Sequence, residues 1–283
     1  MVVDFHTHTF PDKIAASAVD KLQAAAHIHP FTNGTVDGLS ASMRDAGIDY
    51  AVCLPVATHP KQVPGINDAS ARTNARNAET GVVFFGAMHP DFDGWRGELA
   101  RVAELGLRGV KLHPPYQNAD FDDIRYLRIL GRAAELDLIV LVHAGLDIGL
   151  PGADRASPEM IRRAVLAVGP VKLICAHMGG WRQWDAVEEL LPGAGVYLDT
   201  SFSLGRIVPN GDGFPWRETD LPLMEPERFL RLVRAFGAER ILFGTDSPWG
   251  EQADALRRLQ AIPLTDAERT AILGGNAARL LGL

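Results

Sequence analysis

Eight short runs rich in Val, Ile, Leu and Phe recur about every 25 to 45 residues, and segments with helical periodicity separate them. The runs are too short for independent helices and are mostly apolar at odd and even positions alike, as parallel strands covered on both faces are. They span residues 2–9, 50–55, 82–88, 109–113, 138–143, 171–177, 196–201 and 240–246. Eight such units without a Ser/Gly-rich linker predict one (β/α)8 barrel domain over residues 1–283, because this barrel needs about 250 residues.

An open, doubly wound parallel sheet is the alternative arrangement for the same alternating elements. That fold binds dinucleotides through a Gly-x-Gly-x-x-Gly turn directly after its first strand. Here the first run ends in His6-Thr7-His8-Thr9, which contains no glycine. The sequence therefore favours the closed barrel.

The segment between the fourth and fifth runs has the periodicity of an amphipathic helix. Within residues 122–136, the apolar residues Ile124, Leu127, Leu130 and Ala134 fall on one helical face. We therefore expect a helix here that buries this face against the sheet.

Charge and cysteine content restrict the class of partner and the compartment. The net charge is −7, from 28 Lys and Arg against 35 Asp and Glu, and no run of like charges argues for binding to nucleic acid or to a membrane surface. We expect a small-molecule substrate, and the sequence leaves a homo-oligomer open. Cys53 and Cys175 each lie in an apolar run and predict core thiols in a reducing compartment. Without a secretory leader or an apolar run of about 20 residues, a cytoplasmic location is expected.

Histidines recur at the ends of the predicted strands. His6 and His8 stand two residues apart in the first run, so both imidazoles share one strand face. His143 and His177 end the fifth and sixth runs, and Asp246 ends the eighth. Because a buried polar group without a partner costs about 1 to 3 kcal/mol, such a convergence at one rim of the barrel predicts a metal site.

Imidazoles and one carboxylate favour a divalent transition metal over Mg²⁺ or Ca²⁺. Zinc is the expected ion, although Mn, Fe, Co and Ni accept the same ligands. A catalytic ion also keeps one position open for water, which it converts to hydroxide near neutral pH.

The motifs together resemble the amidohydrolase superfamily over the whole chain. The HTH of the first run, VHAG at His143, AHMGG at His177, GTDSPWG at Asp246 and the lead-in GVKLHPPYQ are most similar to the amidohydrolase 2 branch, related to aminocarboxymuconate semialdehyde decarboxylase. The resemblance implies a distorted, metal-dependent (β/α)8 barrel of the amidohydrolase type, in a branch that holds hydrolases and nonoxidative decarboxylases. It also implies that His6, His8, His143 and Asp246 bind the metal, and that His177 acts on the substrate or on metal-bound water.

Lys111 and His113 share one face of the fourth run. Some superfamily members carry a carboxylated lysine there that bridges two metals, but the resemblance fits a single ion better, so a second metal is not expected. An unmodified Lys111 is instead a candidate to hold a substrate carboxylate, and His113 is a candidate rim contact. Other candidates to line a substrate pocket follow the fourth, sixth, seventh and eighth runs: Tyr116, Trp181, Arg206, Trp216 and Trp249.

The leading expectation for function is hydrolysis of an amide, lactone or related bond. Metal-activated water would attack the carbonyl, with His177 or Asp246 as the catalytic residue that moves the proton. The alternative is nonoxidative decarboxylation of an aromatic or unsaturated carboxylic acid. A barrel that binds metal or ligand without catalysis is the alternative from another class, and it predicts a closed coordination shell.

Overall fold

The structure, a computed structural model, describes residues 1–283 and contains nine strands that all pair in parallel. One sheet has the order β1-β2-β3, and the other runs from β4 to β9 in chain order. The strands are β1 (Val3–Thr7), β2 (Tyr50–Cys53), β3 (Val82–Phe84), β4 (Gly86–Ala87), β5 (Gly109–Leu112), β6 (Ile139–Val142), β7 (Leu173–Cys175), β8 (Tyr197–Asp199) and β9 (Ile241–Leu242). Every predicted run contains a strand.

The third predicted run holds two strands because the ladder is interrupted at Phe85. β3 pairs with β2 and β4 pairs with β5, so one continuous run of chain belongs to both sheets. The Phe85 amide still donates to the Cys53 carbonyl at 3.0 Å, and its ring lies in the apolar cluster that fills the barrel. The nine strands therefore occupy the eight positions of the predicted barrel.

Backbone hydrogen bonds join β1 to the segment that begins with β9. Phe5 donates to the Phe243 carbonyl at 2.7 Å, and Asp246 donates to the His6 carbonyl at 2.8 Å. These bonds extend past the end of β9 and do not form a regular ladder. The chain is thus an α/β protein with a distorted (β/α)8 TIM barrel.

The buried carboxylate of Asp4 strengthens the same junction. It accepts hydrogen bonds from Thr245 N at 3.0 Å, Thr245 Oγ1 at 2.6 Å and Gln252 Nε2 at 2.7 Å. Burial raises the pKa of Asp4 to about 7, and these donors oppose that rise. The first strand is therefore tied to the segment that carries Asp246.

A β-bulge in β1 separates the barrel core from the site above it. Asp4 pairs with Ala51 and Thr7 pairs with Cys53, so three steps along β1 match two along β2. Phe5 joins the apolar cluster inside the barrel, while His6 next to it contacts Lys111. The extra residue lets the adjacent side chains of Phe5 and His6 both lie inside the barrel, whereas adjacent side chains of a regular strand point to opposite faces.

Thirteen α-helices connect the strands or close the chain. They are α1 (Asp12–Ala26), α2 (Val36–Ala46), α3 (Val63–Asn74), α4 (Asn77–Thr80), α5 (Trp95–Glu104), α6 (Pro114–Gln117), α7 (Ile124–Glu135), α8 (Pro158–Val168), α9 (Trp184–Leu190), α10 (Pro226–Phe236), α11 (Gln252–Ala261), α12 (Asp266–Thr270) and α13 (Asn276–Leu281). A π-helical turn joins the last two. None of the helices combines the length and apolar character that crossing a bilayer requires.

The expected helix of residues 122–136 forms as α7, but its predicted apolar face is only partly buried: Leu130 is in the core and Leu127 packs against it. The residues that α7 buries are Tyr126, Ile129, Leu130 and Ala133, whereas Ile124 is 71% exposed. Two apolar stripes overlap in this sequence, and the one that contains Tyr126 is the buried one. The Tyr126 hydroxyl donates to Gln117 Oε1 at 2.8 Å, so this stripe also satisfies a buried polar group.

Substitutions on α7 test which face is buried. Ile129→Ala should lower the free energy of unfolding by about 2 to 5 kcal/mol, because it leaves a cavity in the core. Ile124→Ala is the matched control and should change it by less than about 0.5 kcal/mol. Both values follow from denaturant titration, and equal losses in the two variants would contradict the orientation of α7.

Candidate metal and substrate site

The predicted site residues gather at the carboxyl ends of the barrel strands. His6 lies in β1 with His8 just beyond it, and Lys111 lies in β5. His143 directly follows β6, and Asp246 follows β9. This is the face on which TIM-barrel enzymes build their active sites.

Three of the predicted metal ligands form one tight cluster. The Nε2 atoms of His6 and His8 are 3.2 Å apart, and Asp246 Oδ1 lies 3.3 Å from the first and 3.2 Å from the second. A tetrahedral ion with bonds of about 2.0 Å places its ligand atoms about 3.3 Å apart. The spacing of the cluster therefore fits one small divalent ion.

Hydrogen bonds on the far side of each ring fix the imidazole protons. His8 Nδ1 lies 2.8 Å from the Leu54 carbonyl, which can only accept, so His8 carries its proton on Nδ1. His6 Nδ1 lies 2.8 Å from Asp199 Oδ2. The other oxygen of Asp199 accepts from His177 N, Ser201 N and Ser201 Oγ, which favours the ionised carboxylate. Both Nε2 atoms consequently turn lone pairs toward Asp246.

The two imidazole lone pairs and the carboxylate create a negative electrostatic potential in the cluster, which favours binding of a cation. The carboxylate of Asp246 is buried, so water screens it only weakly from the two Nε2 lone pairs. Burial, and then the neighbouring Lys111, lower the pKa of His6 well below its ordinary value, so this ring stays neutral. Two lone pairs and a carboxylate in contact repel one another, and only the His6 lone pair has a cationic neighbour, Lys111.

Lys111 is the cation nearest to this cluster. Its Nζ lies 3.2 Å from His6 Nε2, and the side chain is almost completely buried. Burial lowers the pKa of Lys111 to about 8, and the charge of Asp246 opposes that shift. No carboxylate of the protein forms an ion pair with it, so a buried ammonium group remains without an anionic partner.

His143 turns away from the cluster and pairs with His177. His143 Nδ1 and His177 Nε2 are 3.0 Å apart, while the outer nitrogens lie 3.1 Å from the Leu146 carbonyl and 3.0 Å from the Ser201 carbonyl. Burial lowers the pKa of His143 to about 3 and that of His177 to about 4, so both rings are neutral. Each neutral ring carries one N–H proton, and the two protons cannot fill all three of these contacts. A cation on His143 Nε2 would complete this chain, since each remaining contact would then hold one proton.

A second group of polar side chains adjoins His143. His113 Nε2 lies 3.5 Å from Asp147 Oδ2, and His143 Nε2 lies 3.7 Å from the same oxygen. The rings of His113 and His143 stack with their centroids 4.3 Å apart. Burial, and then the neighbouring His143, lower the pKa of His113 well below its ordinary value, while burial raises the pKa of Asp147.

The two residues predicted as catalytic share an unusual backbone conformation. His177 has φ of 57° and Asp246 has φ of 66°, in the left-handed region that non-glycine residues rarely adopt. Such strain persists where surrounding structure enforces it, and it concentrates at functional sites.

The remaining rim candidates lie in different places. The indole N–H of buried Trp181 has no hydrogen-bond partner, which leaves it free to donate to a ligand. Arg206 and Trp249 line a cavity of about 270 Å³ beside Thr245, but neither histidine of the metal cluster lines it. Trp216 donates to the His27 carbonyl at 3.1 Å and so joins two long loops. Tyr116 packs edge-on against His113.

Sequence reasoning missed Asp199 and Asp147. Asp199 lies within the seventh predicted run, where an acidic residue in an apolar strand signals a buried carboxylate that needs a partner. Asp147 follows VHAG in a connecting segment, and nothing in the local pattern distinguishes it from a surface residue.

Comparisons with known proteins agree with the observed fold. The fold is similar to that of 5-carboxyvanillate decarboxylase LigW from Sphingomonas paucimobilis, with a TM-score of 0.68, 16% identity, and coverage of 100% of this chain and 99% of that one. For an uncharacterized TIM-barrel protein from Bordetella bronchiseptica the TM-score is 0.75, with 17% identity and coverage of 99% and 98%. The fold is also similar to that of a dihydroxybenzoic acid decarboxylase from Polaromonas, solved with manganese and the inhibitor 2-nitroresorcinol. The TM-score is 0.66 and the sequence identity 16%, with coverage of 100% of this chain and 97% of that one.

At these identities the structural likenesses establish the barrel fold alone. A comparison with curated proteins finds no match. A family model described as Amidohydrolase, however, matches residues 3–283. Because that match extends over nearly the whole chain, the protein belongs to the amidohydrolase family.

Proposed function

We propose that this protein is a metal-dependent nonoxidative decarboxylase of an aromatic or unsaturated carboxylic acid. The sequence alone favoured hydrolysis over decarboxylation, and we now prefer decarboxylation. The observation that carries the proposal is the buried ammonium of Lys111 next to the metal cluster, without a carboxylate partner in the protein. An anionic substrate group would supply that partner. The decarboxylases among the structurally similar proteins support the same choice.

The divalent ion is proposed to bind His6, His8 and Asp246, with His143 as the fourth ligand after its Nε2 turns from the Leu146 carbonyl toward this cluster. Spacing and fixed protons support the first three, and the proton count of the His143–His177 pair supports the fourth. When bound, the ion supplies positive charge that orients the substrate and stabilises developing negative charge. Zinc fits the ligands, and the manganese in the Polaromonas enzyme makes Mn²⁺ the other ion to test.

Lys111 is proposed to bind the carboxylate that leaves as CO2. Its Nζ is held beside His6 Nε2, within reach of a group that also contacts the ion. Because the side chain is buried, the attraction is weakly screened by water. Trp181, with its unpartnered indole N–H, is proposed as a further polar contact of the substrate.

Decarboxylation consumes one proton, which must reach the carbon that loses CO2. Asp246 is a poor candidate for the donor because its Oδ1 lies within the proposed metal cluster, 3.2 to 3.3 Å from both Nε2 atoms. His177 is neutral and shares a hydrogen bond with His143, so we assign it to proton relay: it takes up a proton from water and passes that proton to the carbon. The carbon–carbon electron pair stays on the substrate carbon, which takes up that proton as CO2 departs.

A substrate panel tests the proposed reaction. Protein loaded with Zn²⁺ or Mn²⁺ should release CO2 from one or more hydroxylated benzoates, such as 2,6-dihydroxybenzoate or 5-carboxyvanillate. Lys111→Met should raise KM for the carboxylate at least tenfold because it removes a charged hydrogen bond of about 1.5 to 3 kcal/mol, while metal content stays unchanged. Acid release from lactones or amides without any CO2 would instead identify a hydrolase.

Metal affinity tests the role of Asp199. Asp199→Asn should weaken binding of Zn²⁺ by about 10-fold to 100-fold, because His6 loses the carboxylate that fixes its proton on Nδ1. Competition with a chelating dye measures this affinity. Asp212→Asn, which alters an exposed carboxylate, is the control and should leave it unchanged. Equal affinities in all three proteins would refute the role of Asp199.

A further inference from the structure

The carboxylate of Asp147 is buried, and only one of its two oxygens accepts a close hydrogen bond. Its Oδ1 accepts from Gly149 N at 2.8 Å, which fixes the orientation of the group. Its Oδ2 accepts no hydrogen bond, although two imidazole Nε2 atoms lie 3.5 and 3.7 Å away. A structural His–Asp pair closes to about 2.7 to 3.2 Å, so this pair stands open.

The proton of His113 faces the same opening. The Tyr116 amide donates to His113 Nδ1 at 3.5 Å, where this ring caps α6. With a lone pair on Nδ1, neutral His113 carries its proton on Nε2. A donor on His113 and an acceptor on Asp147 therefore point into one space without satisfying each other.

Gly149 and Tyr116 lie beside this pair. A Cβ on Gly149 would lie 3.3 Å from Tyr116 Oη and 3.4 Å from Asp147 Oδ1, so a larger residue at position 149 would crowd both groups. The Tyr116 ring stands edge-on to His113, with centroids 4.5 Å apart. The side chains of His113 and Asp147 are each 9% exposed, so solvent reaches both of them.

We propose that Asp147 and His113 form a subsite that binds a hydroxyl group on the ring of the substrate. The hydroxyl donates to Asp147 Oδ2 and accepts from His113 Nε2–H. This inference rests on the proposed function, in which the substrate is a carboxylic acid held by Lys111, and it names a second recognition point that the metal cluster does not provide.

Other ligand chemistries fit this subsite less well. A carboxylate would be repelled by Asp147, and an ammonium group cannot accept from His113. A second metal ion would need a lone pair on His113 Nε2, which the proton occupies while Tyr116 N donates to Nδ1. A hydroxyl group is both donor and acceptor, so it satisfies the two unpaired atoms together.

Binding of two matched probes to the metal-loaded full-length protein tests the subsite. The first is 2-nitroresorcinol, and the second is 1,3-dimethyl-2-nitrobenzene, which has a similar shape but donates no hydrogen bond. Isothermal titration calorimetry should give at least tenfold tighter binding of 2-nitroresorcinol. Asp147→Asn keeps the acceptor for Gly149 N but replaces Oδ2 with a donor, so it should reduce this preference at least tenfold.

Asp154→Asn is the matched control in the same segment, because its carboxylate binds Gln183 instead. It should retain the full preference, and all variants should keep their metal content and melting temperature. Absence of 2-nitroresorcinol binding, or an unchanged preference in Asp147→Asn, would overturn the subsite. Neither probe carries a carboxylate, so the result does not depend on CO2 release and separates failure of the subsite from failure of the proposed reaction.

A crystal structure with 2-nitroresorcinol keeps the test decisive if Asp147→Asn does not fold. We expect a hydroxyl oxygen within hydrogen-bond distance of Asp147 Oδ2 and His113 Nε2. A complex with both hydroxyl groups elsewhere would reject the assignment.

Discussion

The hydrogen bonds on the Nδ1 atoms of His6 and His8 are the interactions on which the site depends. Asp199 and the Leu54 carbonyl hold these protons on the far side of each ring, so both Nε2 lone pairs face Asp246. If either proton moved to Nε2, that N–H would donate a hydrogen bond to the Asp246 carboxylate, and the cluster would no longer favour binding of a cation. Geometry and proton placement together, rather than the presence of histidines alone, support a metal centre here.

The sequence predicted the barrel and the strand-end position of its histidines because both rest on local periodicity. A spacing of two places His6 and His8 on one face of a strand, and the structure brings their Nε2 atoms within 3.2 Å. The bulge in β1 and the break at Phe85 were not predictable, because they arise from closing a twisted sheet around a packed interior. The buried face of α7 was predicted only in part because two apolar stripes, which share Leu130, overlap in its sequence.

The residues that sequence reasoning missed act through partners that are distant along the chain. Asp199 orients His6 from 193 positions away, and only the fold brings them together. Asp147 is four residues from His143, but its free oxygen matters only because His113 arrives from another strand. Carboxylates of this kind explain why a motif locates a metal centre more readily than it defines substrate recognition.

Anomalous diffraction from crystals of the Zn²⁺-loaded protein, recorded at the zinc absorption edge, tests the central claim most directly. The account predicts one strong peak about 2.0 to 2.2 Å from His6 Nε2, His8 Nε2 and an oxygen of Asp246. A map without a peak there, with the imidazoles and the carboxylate turned apart, would contradict it.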